Sequence, residues 1–227
     1  MYKIDSEFSA GAIVVKRGEL PRYNEFYDSL ENLYVPKGSL LLKLSGLEFV
    51  RNLNGMIAEC LALDKVKWIW IIDDDHSFEY DDLMKLLSHK VDVIVPLVSM
   101  RSFPFDSVII EGKRKSFNEI KDNDKHLIEL SHGTTVGAAG MLLNKDVFNT
   151  MSSPWFTVGG VFSDAISEDV CFAKRLWEYG FSIHVATNVC IDHITPMKLR
   201  PYKKEDGTFG VKIMTLSGQI PWSLGVS

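Results

Sequence analysis

The sequence predicts an α/β fold: a single domain on a mixed, mostly parallel sheet flanked by helices. Two observations carry that prediction. Residues 68–72 read Trp-Ile-Trp-Ile-Ile and stop abruptly at Asp73-Asp74-Asp75-His76. A continuous apolar run of this length suits a strand buried on both faces, as in a parallel sheet. In addition, the first ~100 residues alternate apolar runs of strand length with helical patterns, the arrangement of consecutive strand–helix units.

The elements follow in order. Ala12 to Lys16 forms the first strand, and a loop holding Arg17, Gly18, Pro21 and Arg22 comes next. Leu40 to Leu44 is a second apolar stretch. Ser45-Gly46-Leu47-Glu48 has the pattern of a capping box, with Ser at the cap and Glu three residues on. The helix it opens carries Val50, Leu53, Ile57, Cys60 and Leu61 on one face. Beyond the acidic turn, Asp81 and Asp82 begin another helix with Leu83, Leu86 and Leu87 as its apolar stripe. Val91 to Val98 is a further strand, with Pro96 near its end.

The middle of the chain changes character. Arg101 to Gly133 is polar, and its two strand-like runs, Val108–Glu111 and His126–Leu130, predict a surface hairpin around the charged stretch 112–125. Gly137-Ala138-Ala139-Gly140 is a small-residue turn that runs into a strand at Met141–Leu143, followed by a short helix from Asp146 to Met151. Ser167 caps a helix with Glu168 and Asp169 in its first turn. Its stripe is Val170, Ala173, Leu176 and Trp177, and Gly180 stops it. Ile183 to Ile191 is the last core strand, and Asp192-His193 follows directly. Residues 196–227 read as a tail, basic at Lys198, Arg200, Lys203 and Lys204 and richer in Gly and Pro later.

Bulk properties narrow the function classes. The chain has 227 residues, 46% hydrophobic and 24% charged, which is the composition of an ordinary soluble globular domain. The net charge of −5 argues against a general polyanion binder, although a local basic patch stays open. No apolar run approaches the ~18 residues that read as a bilayer span. The opening Met-Tyr-Lys-Ile-Asp-Ser-Glu lacks a secretory leader pattern. Cys60, Cys171 and Cys190 are widely separated in apolar stretches. They read as buried free thiols without zinc spacing, and together with the opening residues they predict a cytoplasmic location.

The acids sit where chemistry is expected, since open α/β sheets bind ligands at the carboxyl ends of their strands. Adjacent carboxylates repel one another unless a cation or water relieves them. Hard oxygen ligands there suit magnesium or manganese beside a phosphorylated substrate. The plain alternative is an acidic strand-to-helix turn.

Taken together, the ordered motifs resemble the A-type glycosyltransferases, especially family 2-like enzymes. Ile-Ile-Asp-Asp-Asp-His holds an Asp-x-Asp motif as Asp73 and Asp75. Val136 to Phe148 resembles the family's acceptor-side turn and strand. Pro154-Trp155-Phe156, followed by Ser167-Glu168-Asp169-Val170, is similar to its second acidic motif, and Ile191-Asp192-His193 to its late histidine. The resemblance covers about residues 10–195 and implies one Rossmann-like glycosyltransferase domain over residues 1–227, with 196–227 as a lid. It implies transfer of a sugar from a UDP- or GDP-sugar donor, with Mn2+ or Mg2+ held by Asp73, Asp75 and His193. Asp75 is then the direct ligand, and Asp73 reaches the ribose or the metal through water. His76 supports from outside, and Asp74 turns to the opposite side as a turn or cap residue.

Further roles follow from the same resemblance. Asp169 deprotonates the acceptor hydroxyl in an inverting reaction, and Glu168 binds acceptor hydroxyls or orients Asp169. Arg17 and Arg22 lie where the fold receives the nucleotide base and ribose or are solvated surface charges, and Lys198, Arg200, Lys203 and Lys204 either close over the diphosphate as a lid or are solvated charge. Gly137 to Gly140 allows either close approach of a substrate or tight packing, and Trp155 either stacks on a sugar or joins the core. The acceptor class stays open among a saccharide, a small molecule, a protein and a modified nucleobase, the last being least supported by charge. The apolar tail positions Val211, Ile213, Met214, Leu216 and Trp222 leave room for a homo-oligomer. Three alternatives stand beside this reading: a retaining transferase, a nucleotidyltransferase and a non-catalytic nucleotide-sugar-binding protein. The second lacks its Gly-rich loop, since Gly11 and Gly18 form no cluster.

Overall fold

The computed structural model describes residues 3–5, 7–16, 23–43, 48–102, 104–159, 166–206, 208–215 and 218–220. The first half contains β1 (Lys3–Asp5), β2 (Ala12–Lys16), α1 (Asn24–Asn32), β3 (Tyr34–Pro36), β4 (Leu40–Lys43), α2 (Phe49–Leu61), β5 (Trp68–Asp73), β6 (His76–Ser77), α3 (Asp82–Ser88) and β7 (Val93–Val98). The second half contains β8 (Ile110–Glu111), β9 (Lys113–Arg114), β10 (Leu127–Glu129), β11 (Met141–Asn144), α4 (Lys145–Thr150), α5 (Glu168–Glu178), β12 (His184–His193), β13 (Met197–Lys203), β14 (Phe209–Thr215) and β15 (Gly218–Ile220).

The central sheet has the order β10-β12-β7-β11-β5-β2-β4, with β6 added to the far end of β12. β4, β2, β5, β7 and β12 run one way, while β10 and β11 run the other. The sheet is therefore mixed and mostly parallel. Side chains alternate along β5 and feed two cores. Ile69 and Ile71 pack with Leu53, Ile57, Phe148, Phe172 and Leu176 beneath α2, α4 and α5. Trp68, Trp70 and Ile72 pack on the opposite face with Phe26, Leu30, Leu83 and Leu86 of α1 and α3. Both faces being covered explains the unbroken apolar run.

The antiparallel β11 is held in the middle of the sheet by Gly140. Its N–H donates to Ile71 C=O at 2.7 Å, and its C=O accepts from Trp70 Nε1 at 2.9 Å. Gly140 has φ +76°, and a Cβ there would lie 2.5 Å from Pro96 Cγ and 2.8 Å from Ile191 Cδ1. At Gly140, the open question about the small-residue turn thus resolves as tight packing.

Several expectations need correction. The helix expected from Ser45 begins at Phe49 with Glu48 at its cap, and residues 44–47 lie outside the described residues. The two mid-chain runs do not pair with each other. β8 pairs with β9, while β10 joins the edge of the main sheet on β12. α1 was not anticipated, although Phe26 and Leu30 lie four residues apart on its buried face with Tyr23 and Tyr27 packed beside them, a helical spacing that could have been read. Of the cysteines only Cys60 is buried, Cys171 is partly so and Cys190 is exposed. Within the stretch expected as a tail, β13, β14 and β15 form a separate three-stranded antiparallel sheet. Among the described residues, no helix is long and apolar enough to cross a membrane.

Gly140→Ala combines a left-handed backbone with overpacking against Pro96 and Ile191. It is expected to destabilise the fold by about 3 kcal/mol, read as a lower urea midpoint at unchanged slope.

Candidate functional site

The parallel strands bring their carboxyl ends to one edge, and a cleft of about 280 Å³ opens there. β2 contributes Lys16, β5 ends in Asp73, the next turn supplies Asp75, β6 opens with His76, β12 ends in His193, and α5 begins with Glu168 and Asp169; all line this cleft. Parallel pairing sets Lys16 beside Asp73, and antiparallel pairing of β6 with β12 sets His76 opposite His193. Ser167 caps α5 by accepting from Val170 N–H, so the acid pair sits in the first helical turn.

Two charge clusters share the cleft. In the first, Asp75, His76 and His193 each offer one ligand atom, all within 4.8 Å of one another. The two imidazole rings stack with centroids 4.5 Å apart. His193 Nδ1 lies 2.9 Å from Ser99 C=O. A carbonyl oxygen only accepts, so Nδ1 donates to it, and Nε2 is the ring nitrogen on the Asp75 side. Nε2 lies 3.8 Å from Asp75 Oδ2, which also accepts from Arg101 Nη1 at 2.9 Å. Burial alone would push the Asp75 carboxyl up. His193 and His76 outweigh it and hold the group well below the usual carboxylate range. His76 is buried, and neither ring nitrogen has a hydrogen-bond partner, although Nδ1 is 3.2 Å from Asp75 Oδ1. A buried imidazole with two unsatisfied nitrogens is costly unless a ligand completes it.

The second cluster surrounds Lys16, whose side chain is 3% exposed. Its Nζ lies 3.4 Å from Asp73 Oδ2, 3.3 Å from Asp169 Oδ1 and 4.0 Å from Glu168 Oε1. Burial by itself would lower the lysine pKa, but Asp73, Asp169 and Glu168 raise it well above the ordinary lysine range. Glu168 is pushed up, first by burial and then by the charge of Asp169, with Lys16 opposing.

The structure therefore gathers Asp73, Asp75, Glu168, Asp169 and His193 along one cleft. It separates Asp73, which faces Lys16, from the group of Asp75, His76 and His193. His76, expected outside the ligand set, groups with Asp75 and His193 as residues that could hold a metal ion. Asp74 occupies the turn and is fully buried. Trp155 belongs to the core, 7% exposed, with Nε1 donating to Phe148 C=O and Met151 C=O. Arg17 and Arg22 lie outside the described residues, as do the side chains of Lys198 and Arg200 on β13. Sequence reasoning missed Lys16 and Arg101. A lysine closing an apolar strand opposite an acid-tipped strand was the available signal for the first; nothing pointed to the second.

Lys16→Met would leave its carboxylates without their buried cation. The expected loss at neutral pH is about 3–5 kcal/mol. A carboxyl with a raised folded pKa, as Glu168 has, adds stability below its unfolded pKa and loses it as pH rises through the folded value. Removing Lys16 raises that pKa further, so the deficit should shrink as pH falls towards the carboxyl range. Urea melts of both proteins across mildly acidic to neutral pH measure it. A deficit independent of pH would reject this account of Lys16.

No family model matches the chain, and no curated protein matches it. Among solved structures it is similar to A197 from STIV, with a TM-score of 0.53 and 11% identity over 89% of this chain and 93% of that one. A lower similarity links it to GalNAc-T7, solved with UDP, GalNAc and Mn2+, at a TM-score of 0.49 and 10% identity over 84% of this chain and 44% of that one. Residues 1–349 of S. aureus TarS match at a TM-score of 0.47 and 12% identity over 82% of this chain and 60% of that one. At these identities the likeness to A197 concerns the fold.

Proposed function

We propose that this chain is a metal-dependent glycosyltransferase that moves a sugar from a nucleotide-diphosphate donor to an acceptor hydroxyl with inversion. One observation carries the reading: a ligand group of Asp75, His76 and His193 shares a cleft with an acid pair at a helix N-terminus. The resemblance of the ordered motifs supplies the reaction class. The residues fit a divalent cation, because the group offers a carboxylate oxygen, two imidazole nitrogens and a buried ring without hydrogen-bond partners. Asp75, His76 and His193 would hold Mn2+ or Mg2+, which when bound supplies charge to offset the diphosphate. Asp73, fixed by Lys16, is then available to the donor ribose.

Asp169 acts as the base. Lys16 donates to its Oδ1, leaving Oδ2 for the acceptor. The acceptor oxygen bonds to C1 of the sugar as its proton passes to Asp169 and the C1–O bond to the diphosphate breaks. The leaving group is the nucleoside diphosphate. Glu168 binds an acceptor hydroxyl beside it. Arg17 and Arg22 receive the nucleotide base and ribose. Lys198 and Arg200, on a strand that starts at Met197 just after His193, approach the diphosphate.

UDP or GDP should raise the melting temperature only with Mn2+ or Mg2+ present, and Asp75→Ala should abolish that rise. Equal stabilisation in chelator would remove the metal from the reading. Asp169→Asn should bind nucleotide and metal as the parent does, while donor consumption falls roughly 10²–10⁴-fold. Loss of nucleotide binding with turnover intact would reverse the assignment.

A further inference from the structure

Resting on that reading, we infer that Arg101 is a donor-binding residue that holds the metal carboxylate until a diphosphate arrives. Arg101 Nη1 donates to Asp75 Oδ2 at 2.9 Å, so a cation already claims an oxygen of the ligand group. A guanidinium at hydrogen-bond distance and a divalent ion repel each other across one carboxylate. Arg101 therefore opposes metal binding on its own. Its side chain is 34% exposed, against 6% for Asp75, so the arginine is the partner free to leave.

Backbone hydrogen bonds hold the described residues on either side of it. Ser99 C=O accepts from His193 Nδ1, Met100 N–H donates to Asp106 C=O at 2.8 Å, and Val108 N–H donates to Val98 C=O at 3.1 Å. Phe105 N–H closes the intervening turn on Ser102 C=O at 2.8 Å. Only the side chain has to move, and it stays in the cleft that the metal group shares. A diphosphate beside the metal presents paired anionic oxygens that match the planar guanidinium fork. Arg101 then exchanges Asp75 for phosphate, which releases the carboxylate and binds the donor in one movement. Metal and nucleotide each favour the other through this residue, and the coupling is reciprocal.

The test compares the parent chain with Arg101→Met and Arg101→Lys by titration calorimetry with Mn2+ alone, and with UDP and GDP at saturating Mn2+. Arg101→Met should bind Mn2+ alone about three- to fivefold tighter. It should bind the nucleotide about tenfold weaker once Mn2+ is present. Arg101→Lys should bind Mn2+ nearly as the parent does and the nucleotide with intermediate affinity, because the point charge remains and the fork is lost. The opposite signs are the signature, since general damage at the site would weaken both. If the parent binds both probes while Arg101→Met is weaker for both, or unchanged for both, this inference fails and the functional reading stands. If the parent binds neither Mn2+ nor nucleotide, both fail.

Discussion

A buried ammonium organises the working edge of this protein. Lys16 closes a strand whose Ala12 to Val15 are all buried, so its stem has no route to water. The ammonium is tolerable there because Asp73, Asp169 and Glu168 converge on it from a neighbouring strand and a helix that begins 152 residues later. The dependence runs both ways. Three acids sharing a half-buried site would repel one another without Lys16, and Lys16 would be unstable there without them. Asp73 and the acid pair of α5 are thus tied to one atom.

The other half of the site depends on strand register. β12 is long enough for several pairings: it runs against β7 from His184 to Ile191 with an irregularity between Ala186 and Cys190, its first part also pairs with β10, and its end at Asp192 and His193 pairs with β6. That end sets His193 opposite His76. Asp75 C=O accepts from Ile194 N–H at 2.8 Å, which fixes the acidic turn to the same strand. A slip of one residue would turn His193 to the other face and dismantle the ligand group.

Much of the scaffold was legible in the sequence. β2, β5, β7, β11 and β12, together with α3 and α5, each had a strong local signature, whether an unbroken apolar run, a capping residue or a 3.6-residue stripe. What escaped was set by tertiary pairing. Residues 127–129 look like half a hairpin locally, yet find their partner at 184–186. Trp155 was ambiguous because its burial depends on Asn54, whose side-chain oxygen accepts from the N–H groups of both Trp155 and Phe156. At the site, the acids and His193 could be named from motif order. The split of Asp73 from Asp75 could not, because it depends on which neighbour each side chain meets across the sheet. His76 had no signal beyond adjacency, and Arg101 sits in a loop with no pattern at all.

Lys16 and Arg101, the cations that pair with acids of the site, differ in how firmly they are held. Lys16 is enclosed, at 3% exposure, and makes its contacts to three carboxylates at once. Releasing it would strand several charges in a poorly solvated place, so it behaves as part of the scaffold. Arg101 reaches Asp75 from an open loop at 34% exposure, and a guanidinium can find another anion with little loss. On the proposed reading, a site that stays intact while empty and then accepts a multiply charged donor uses both kinds of cation. In that proposal a fixed one keeps the acids aligned, and an exchangeable one would shield the metal carboxylate until the incoming anion replaces it. The fixed charge sits on a buried strand end and the exchangeable one on a partly exposed side chain, so the exchange needs no backbone movement.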